Sequence, residues 1–159
     1  MVDEKTKKAQ VGGLHYEFIQ LFYCMIKVRE LNPDESKILV PNYLAVAFST
    51  HARNLWEFFY ASDKEPKKYP RVKHYIPNWD ITSNLPIRKY YGVLNKQLSH
   101  LDYGRSETKE PPPVAFIYEA YKHFRLLINK FLDKVPKEML NPNFQELKEI
   151  VKQDITHYP

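Results

Sequence analysis

Residues 111–131 read PPPVAFIYEAYKHFRLLINKF, and this stretch decides the fold class. Pro111, Pro112 and Pro113 open it; proline suits the first turn of a helix, where its missing N–H would have had no partner. Behind them Ile117, Ala120, Tyr121, Phe124, Leu127, Ile128 and Phe131 recur at intervals of three and four. That spacing lines one face of a helix, whereas a half-buried strand would alternate.

The same signature appears on both sides. Pro41-Asn42 precedes a second helix with Asn42 as its cap, reaching about Ala61 with Leu44, Ala47, Phe48, His51, Leu55, Phe58 and Phe59 on one stripe. Another helix runs from about His15 to Glu30 through Phe18, Ile19, Phe22, Met25, Ile26 and Arg29, and Asn32-Pro33 stops it. After Asn84-Leu85-Pro86, the spacing of Ile87, Tyr91, Leu94, Leu98 and Leu101 predicts a further helix, with Gly104 where a helix C-terminus favours glycine. A short last helix begins near Asn143, which has capping-box spacing to Glu146, and runs to about Thr156. The chain has only four glycines and no Asn-Gly or Asp-Gly pair, so hairpin turns are poorly provided for. The expected fold is all-α: an up-and-down bundle of four main helices plus a short C-terminal one.

Residues 62–84 stand apart. Pro66, Pro70 and Pro77 forbid a regular helix there, and a connection this long is uncommon in a compact domain unless it has a task. Tyr69, Tyr75 and Trp79 argue that part of it packs down, as an irregular flap between the second and third helices.

Composition sets the outer bounds. The chain has 159 residues, 43% hydrophobic and 14% aromatic, which suits one globular domain rather than a disordered tract. We expect a single helical domain over 1–159, with 1–13 as a flexible N-terminal tail. Cys24 sits in the apolar run Phe22-Tyr23-Cys24-Met25-Ile26 and has no second cysteine to pair with, so it reads as core. Neither a signal peptide nor a membrane span is visible, and a cytoplasmic location is the default expectation. A net charge of +5 is compatible with an acidic partner without requiring one.

Three groups of residues could carry chemistry. The first ends the third expected helix, where Asn95 and Asp102 share one flank and Lys96 and His100 the other. A lysine one turn from an imidazole favours the neutral base, which could take a proton from a ribose 2′-hydroxyl while the lysine steadies phosphate charge. The plain alternative is a solvated helix face, with His100 placed favourably near a helix C-terminus. The second group is His51 with Asn54. His51 falls between Phe48 and Leu55 and is expected to point into the bundle, with Asn54 as its hydrogen-bond partner. These two could also converge with Asn95 or Asp102 on one polar cavity. The third group is basic and aromatic: Lys64, Lys67, Lys68, Arg71 and Lys73 interleave with Tyr69 and Tyr75, and Lys122, Arg125 and Lys130 could extend the positive surface. Cations of this kind neutralise phosphates while rings stack on unpaired bases; the alternative is a solvated loop. No Glu-x-x-His pair occurs and the six histidines are scattered, so neither a metal nor another cofactor is expected.

Asn95-Lys96 followed by His100 and Tyr103, near the end of a helix in a small bundle, resembles the HEPN superfamily. Its hallmark is an Arg, often followed by Asn, with a His after four to six further residues. The likeness covers residues 94–105 and the helical layout. It implies either a metal-independent ribonuclease or a non-catalytic RNA-binding or toxin–antitoxin component, often dimeric with the motifs meeting at the interface. Leu94 stands where the family's Arg falls, leaving Lys96 or Arg105 to replace it, and a lysine cannot copy a guanidinium's bidentate hold on phosphate.

The expected function is therefore a HEPN-like, non-catalytic module that binds RNA or a protein partner. Asn95, Lys96, His100 and Arg105 form its polar centre, and His51, Asn54 and Asp102 support it. Two alternatives stand beside it: a metal-independent endoribonuclease with His100 as general base, and a structural homodimer without ligand.

Overall fold

A computed structural model describes residues 4–30, 42–60, 70–80, 114–140 and 142–152. Four α-helices carry the fold: α1 (Glu4–Glu30), α2 (Asn42–Tyr60), α3 (Val114–Lys134) and α4 (Asn143–Lys152). Single 3-10 turns lie at Val72–His74 and Lys137–Met139, and no strand occurs among the described residues. The protein is an all-α bundle. The helix expected from Ile87 lies outside the described residues, and with it Asn95, Lys96, His100, Asp102 and Arg105.

The quoted stretch folds as its spacing requires. Ile117, Ala120, Tyr121, Phe124, Leu127, Ile128 and Phe131 are all buried on α3. Tyr121 is enclosed by Phe18 and Phe22 of α1, with ring centroids 5.9 and 6.3 Å away. From α2, Phe48 meets Phe116 and Phe58 meets Phe131. These pairings ascend together along both helices, so α2 and α3 run parallel.

Helix α1 differs from expectation at its start. It begins at Glu4 rather than near His15, so most of the segment expected as a flexible tail is helical. Val11 and Leu14 continue the spacing of Phe18, Leu21, Met25 and Val28, and all six are buried. Burying the two additional apolar side chains, at roughly 1.5–3 kcal/mol each, outweighs about 1 kcal/mol for each of Gly12 and Gly13 in a helix interior. Helix α1 packs on α2, α3 and α4 together, which is why its apolar residues spread over most of its circumference. Gln20, Tyr23, Lys27 and Glu30 continue the open side that starts at Gly13 and Tyr16.

Residues 70–80 belong to the core rather than to a loose loop. Val72, Tyr75 and Trp79 are buried. Tyr75 lies 5.9 Å from Phe58 and 6.1 Å from Phe131, and Trp79 stacks on Phe59 at 5.7 Å. Lys130 fastens the end of the segment: its Nζ sits 4.9 Å from the Trp79 ring centroid and donates to the Asp80 carbonyl at 2.7 Å. Aromatic pairs of this kind add about 0.5–1.5 kcal/mol each beyond burial.

Gly13 offers a direct check on helix α1. A methyl group there would meet nothing within 4 Å, and no glycine among the described residues has a positive φ. Gly13→Ala is expected to raise stability by roughly 0.5–1 kcal/mol, a melting temperature about 1–4 °C higher by calorimetry. A lower melting temperature would mean that α1 does not extend back through this position.

Candidate functional site

The polar centre of the described molecule lies at the seam of α1 and α2. Glu17 comes from α1, one residue before the fully buried Phe18. His51 and Asn54 come from α2, three residues apart and so on one side of the helix. His51 Nδ1 lies 2.7 Å from Glu17 Oε2, and Asn54 Nδ2 donates to Glu17 Oε1 at 3.0 Å. A carboxylate only accepts, so the imidazole turns Nδ1–H towards it and the amide turns its nitrogen. The Tyr16 ring stands edge-on to the imidazole, with centroids 5.8 Å apart at 77°, and is 55% exposed. Asn54 and the neighbouring Arg53 are exposed as well.

This arrangement corrects the sequence reading of His51. Its side chain keeps 15% of its exposure at the helix seam, and its partner is Glu17 rather than Asn54. At about 100° per residue, position 51 lies roughly 80° from the centre of the buried arc of α2, at its rim. Glu17 itself was legible only as a charge interrupting an apolar run. A carboxylate there needs a partner, but the sequence does not say which helix supplies it.

Among the described residues, Arg71, Tyr75 and Lys130 of the expected basic and aromatic surface are committed to the fold. Arg71 is only 4% exposed, so its guanidinium is enclosed, and its backbone N–H points to His74 Nδ1 at 3.3 Å. Arginine can fill such a position because its long apolar stem packs while its planar head finds partners. Tyr75 is buried too, which removes it as a stacking platform. Lys73 is exposed, Lys122 lies 3.7 Å from Glu119, and Lys130 is engaged with Trp79 and Asp80. Lys67, Lys68 and Tyr69 lie outside the described residues.

A second polar pair was not visible in the sequence. His123 of α3 is buried and its Nε2 is hydrogen-bonded to the Tyr60 hydroxyl at the end of α2. Trp56 stacks on Tyr60, with centroids 4.3 Å apart. Burial disfavours the imidazolium and pulls the His123 pKa down to about 4. The polar pair joins the end of α2 to α3 among aromatic rings. Cys24 is buried and its thiol pushed up by that burial, as core packing requires.

No group of three His, Cys, Asp or Glu side chains among the described residues is placed to hold a metal ion. No described helix is long and apolar enough to cross a membrane. No protein-family model matches the chain, and neither a curated protein nor a solved structure matches it.

The His123 environment has a consequence for acid stability. Its pKa is about 4 when folded and the ordinary 6.5 when unfolded, so between these values the unfolded chain holds more protons. Stability from this group is complete above about pH 6.5, falls as pH drops, and is lost below about 4. The loss is of order 3 kcal/mol. Urea unfolding of the protein and of His123→Phe at pH 7 and pH 4 measures it. The variant should lose much less stability between these pH values, and equal losses would refute the assignment.

Proposed function

We propose that this chain is a HEPN-like helical module that binds single-stranded RNA without cleaving it. The observation that carries this reading is the exposed Tyr16 ring set against His51 and Asn54, whose donors are both fixed by Glu17. Unpaired bases are recognised by an aromatic ring that stacks and by polar groups that meet the base edge, and this surface holds both. The resemblance around Asn95, Lys96, His100 and Arg105 points to the same ligand class, and Lys67, Lys68 and Lys73 extend the basic surface in this reading. The carboxylate-fixed amide and imidazole are already ordered, so binding need not immobilise them.

Cleavage is the second reading, and the Glu17–His51 pair is what favours it. A carboxylate that fixes one imidazole nitrogen and leaves the other open is how a general base is oriented. His51 or His100 would then accept the 2′-hydroxyl proton, with Lys96 or Arg105 steadying the phosphate. Cleavage that survives a chelator and disappears in His51→Ala or His100→Ala would establish this reading in place of the first.

Binding is tested by fluorescence anisotropy with a labelled single-stranded RNA across a salt series. Affinity should fall steeply with salt, because neutralised phosphates release counterions. Tyr16→Ala should weaken binding about tenfold, the usual scale for one stacked base. Exchanging Lys67, Lys68 and Lys73 for alanine should flatten the salt dependence. No RNA retention at low salt would overturn the proposal, and a concentration-dependent mass without it would leave a structural dimer.

A further inference from the structure

We infer that the Tyr60–His123 pair is an acid-released catch: it ties the last residue of α2 to α3 at neutral pH, and protonation of the imidazole lets that end of α2 come away while the bundle stays folded. Where the two residues sit carries this, whether or not the chain binds RNA. His123 lies well inside α3 and is 9% exposed, so fraying of its own helix cannot bring water to it. Tyr60 is the last residue of α2 and is half-buried. Its ring lies against the imidazole, with centroids 5.8 Å apart at 30°, and its hydroxyl is hydrogen-bonded to Nε2. At this contact α2 is the helix that can yield, because the final turn of a helix lacks part of its hydrogen bonding.

The preceding residues limit how far the release travels. Phe58 meets Tyr75 and Phe131, and Phe59 meets Trp79 and Phe131, so both stay anchored in the aromatic core. Tyr60 turns aside and leaves its stack on Trp56. Among the described residues, Tyr60 is the hydrogen-bond partner of His123, and no carboxylate forms an ion pair with the imidazole. Glu119, four residues earlier on α3, is exposed and lies 3.7 Å from Lys122, while Lys130, two turns further on, is engaged with Trp79 and Asp80. Glu57 of α2, three residues before Tyr60, makes no ion pair with His123 either. An imidazolium here can still donate to the hydroxyl oxygen; what the enclosure does not supply is water or a counter-charge. Burial accordingly pulls the imidazole down to about 4, and with Tyr60 turned aside it regains its ordinary 6.5. Acid therefore favours the released form, whose ratio to the closed form rises about fifty-fold from about pH 7 to about pH 4.5.

The test is amide hydrogen exchange on the full chain, normalised to unstructured-peptide rates, at these two pH values and at several low urea concentrations. Protection at Tyr60 should fall about fifty-fold in acid, and almost independently of urea, because releasing one side chain exposes little surface. In His123→Phe nothing titrates at this position, and protection should differ less than about twofold between the two pH values. Tyr60→Phe keeps the ring and loses the hydroxyl, and it covers the case in which His123→Phe does not fold. There, protection at residue 60 should fall about fivefold at pH 7, the scale of one hydrogen bond, with helical content unchanged. A urea dependence at Tyr60 as steep as that of the α3 core would mean that His123 meets water only through global unfolding, and would overturn the catch. The full acid effect persisting in His123→Phe, or unchanged protection in Tyr60→Phe, would overturn it as well.

Discussion

Helix α1 is enclosed by three other helices, and a carboxylate at the edge of that enclosure must find donors. Glu17 meets this constraint by taking one from His51 and one from Asn54, both on α2. Stripping water from an unpaired carboxylate would cost several kcal/mol, so the pairing fixes how α1 and α2 lie against one another at this point. The same contact fixes an imidazole tautomer and an amide orientation. A structural requirement of the helix seam thereby orients two polar side chains of α2.

Farther along the bundle, aromatic packing replaces polar pairing. Phe58, Phe59 and Phe131 form a platform that holds Tyr75 and Trp79 of the connection between α2 and α3. Lys130 covers the Trp79 ring and holds the Asp80 carbonyl, so a cation counted in sequence as surface charge is committed to the fold. Arg71 is another such cation, withdrawn from solvent at the start of the same segment. Positive charge in a proline-containing stretch does not make a phosphate-binding surface until its geometry is known.

The Tyr60–His123 pair shows the opposite use of a histidine. His123 lies among rings, is hydrogen-bonded to a hydroxyl and remains neutral over ordinary pH because burial disfavours its charge. His51 sits at the α1–α2 seam with 15% of its side chain exposed and Nδ1 against the Glu17 carboxylate. The two histidines have the same chemistry, and their surroundings give one a hydroxyl partner among rings and the other a carboxylate at a helix seam.

The sequence by itself determined the fold class and most of the core. The three-and-four spacing in α3 named side chains that are all buried, and that in α2 did so for all but Ala47 and His51, because a helix of fixed pitch can hide only one face. It also placed Tyr75 and Trp79 correctly as residues that pack down. Tertiary structure alone decided how far α1 extends, since the burial of Val11 and Leu14 depends on neighbours distant in the chain. It alone joined Glu17 to His51 across 34 positions and Tyr60 to His123 across 63. Periodicity reports which face of a helix is apolar, but a hydrogen bond between helices depends on their rotation and relative height, which no local pattern encodes.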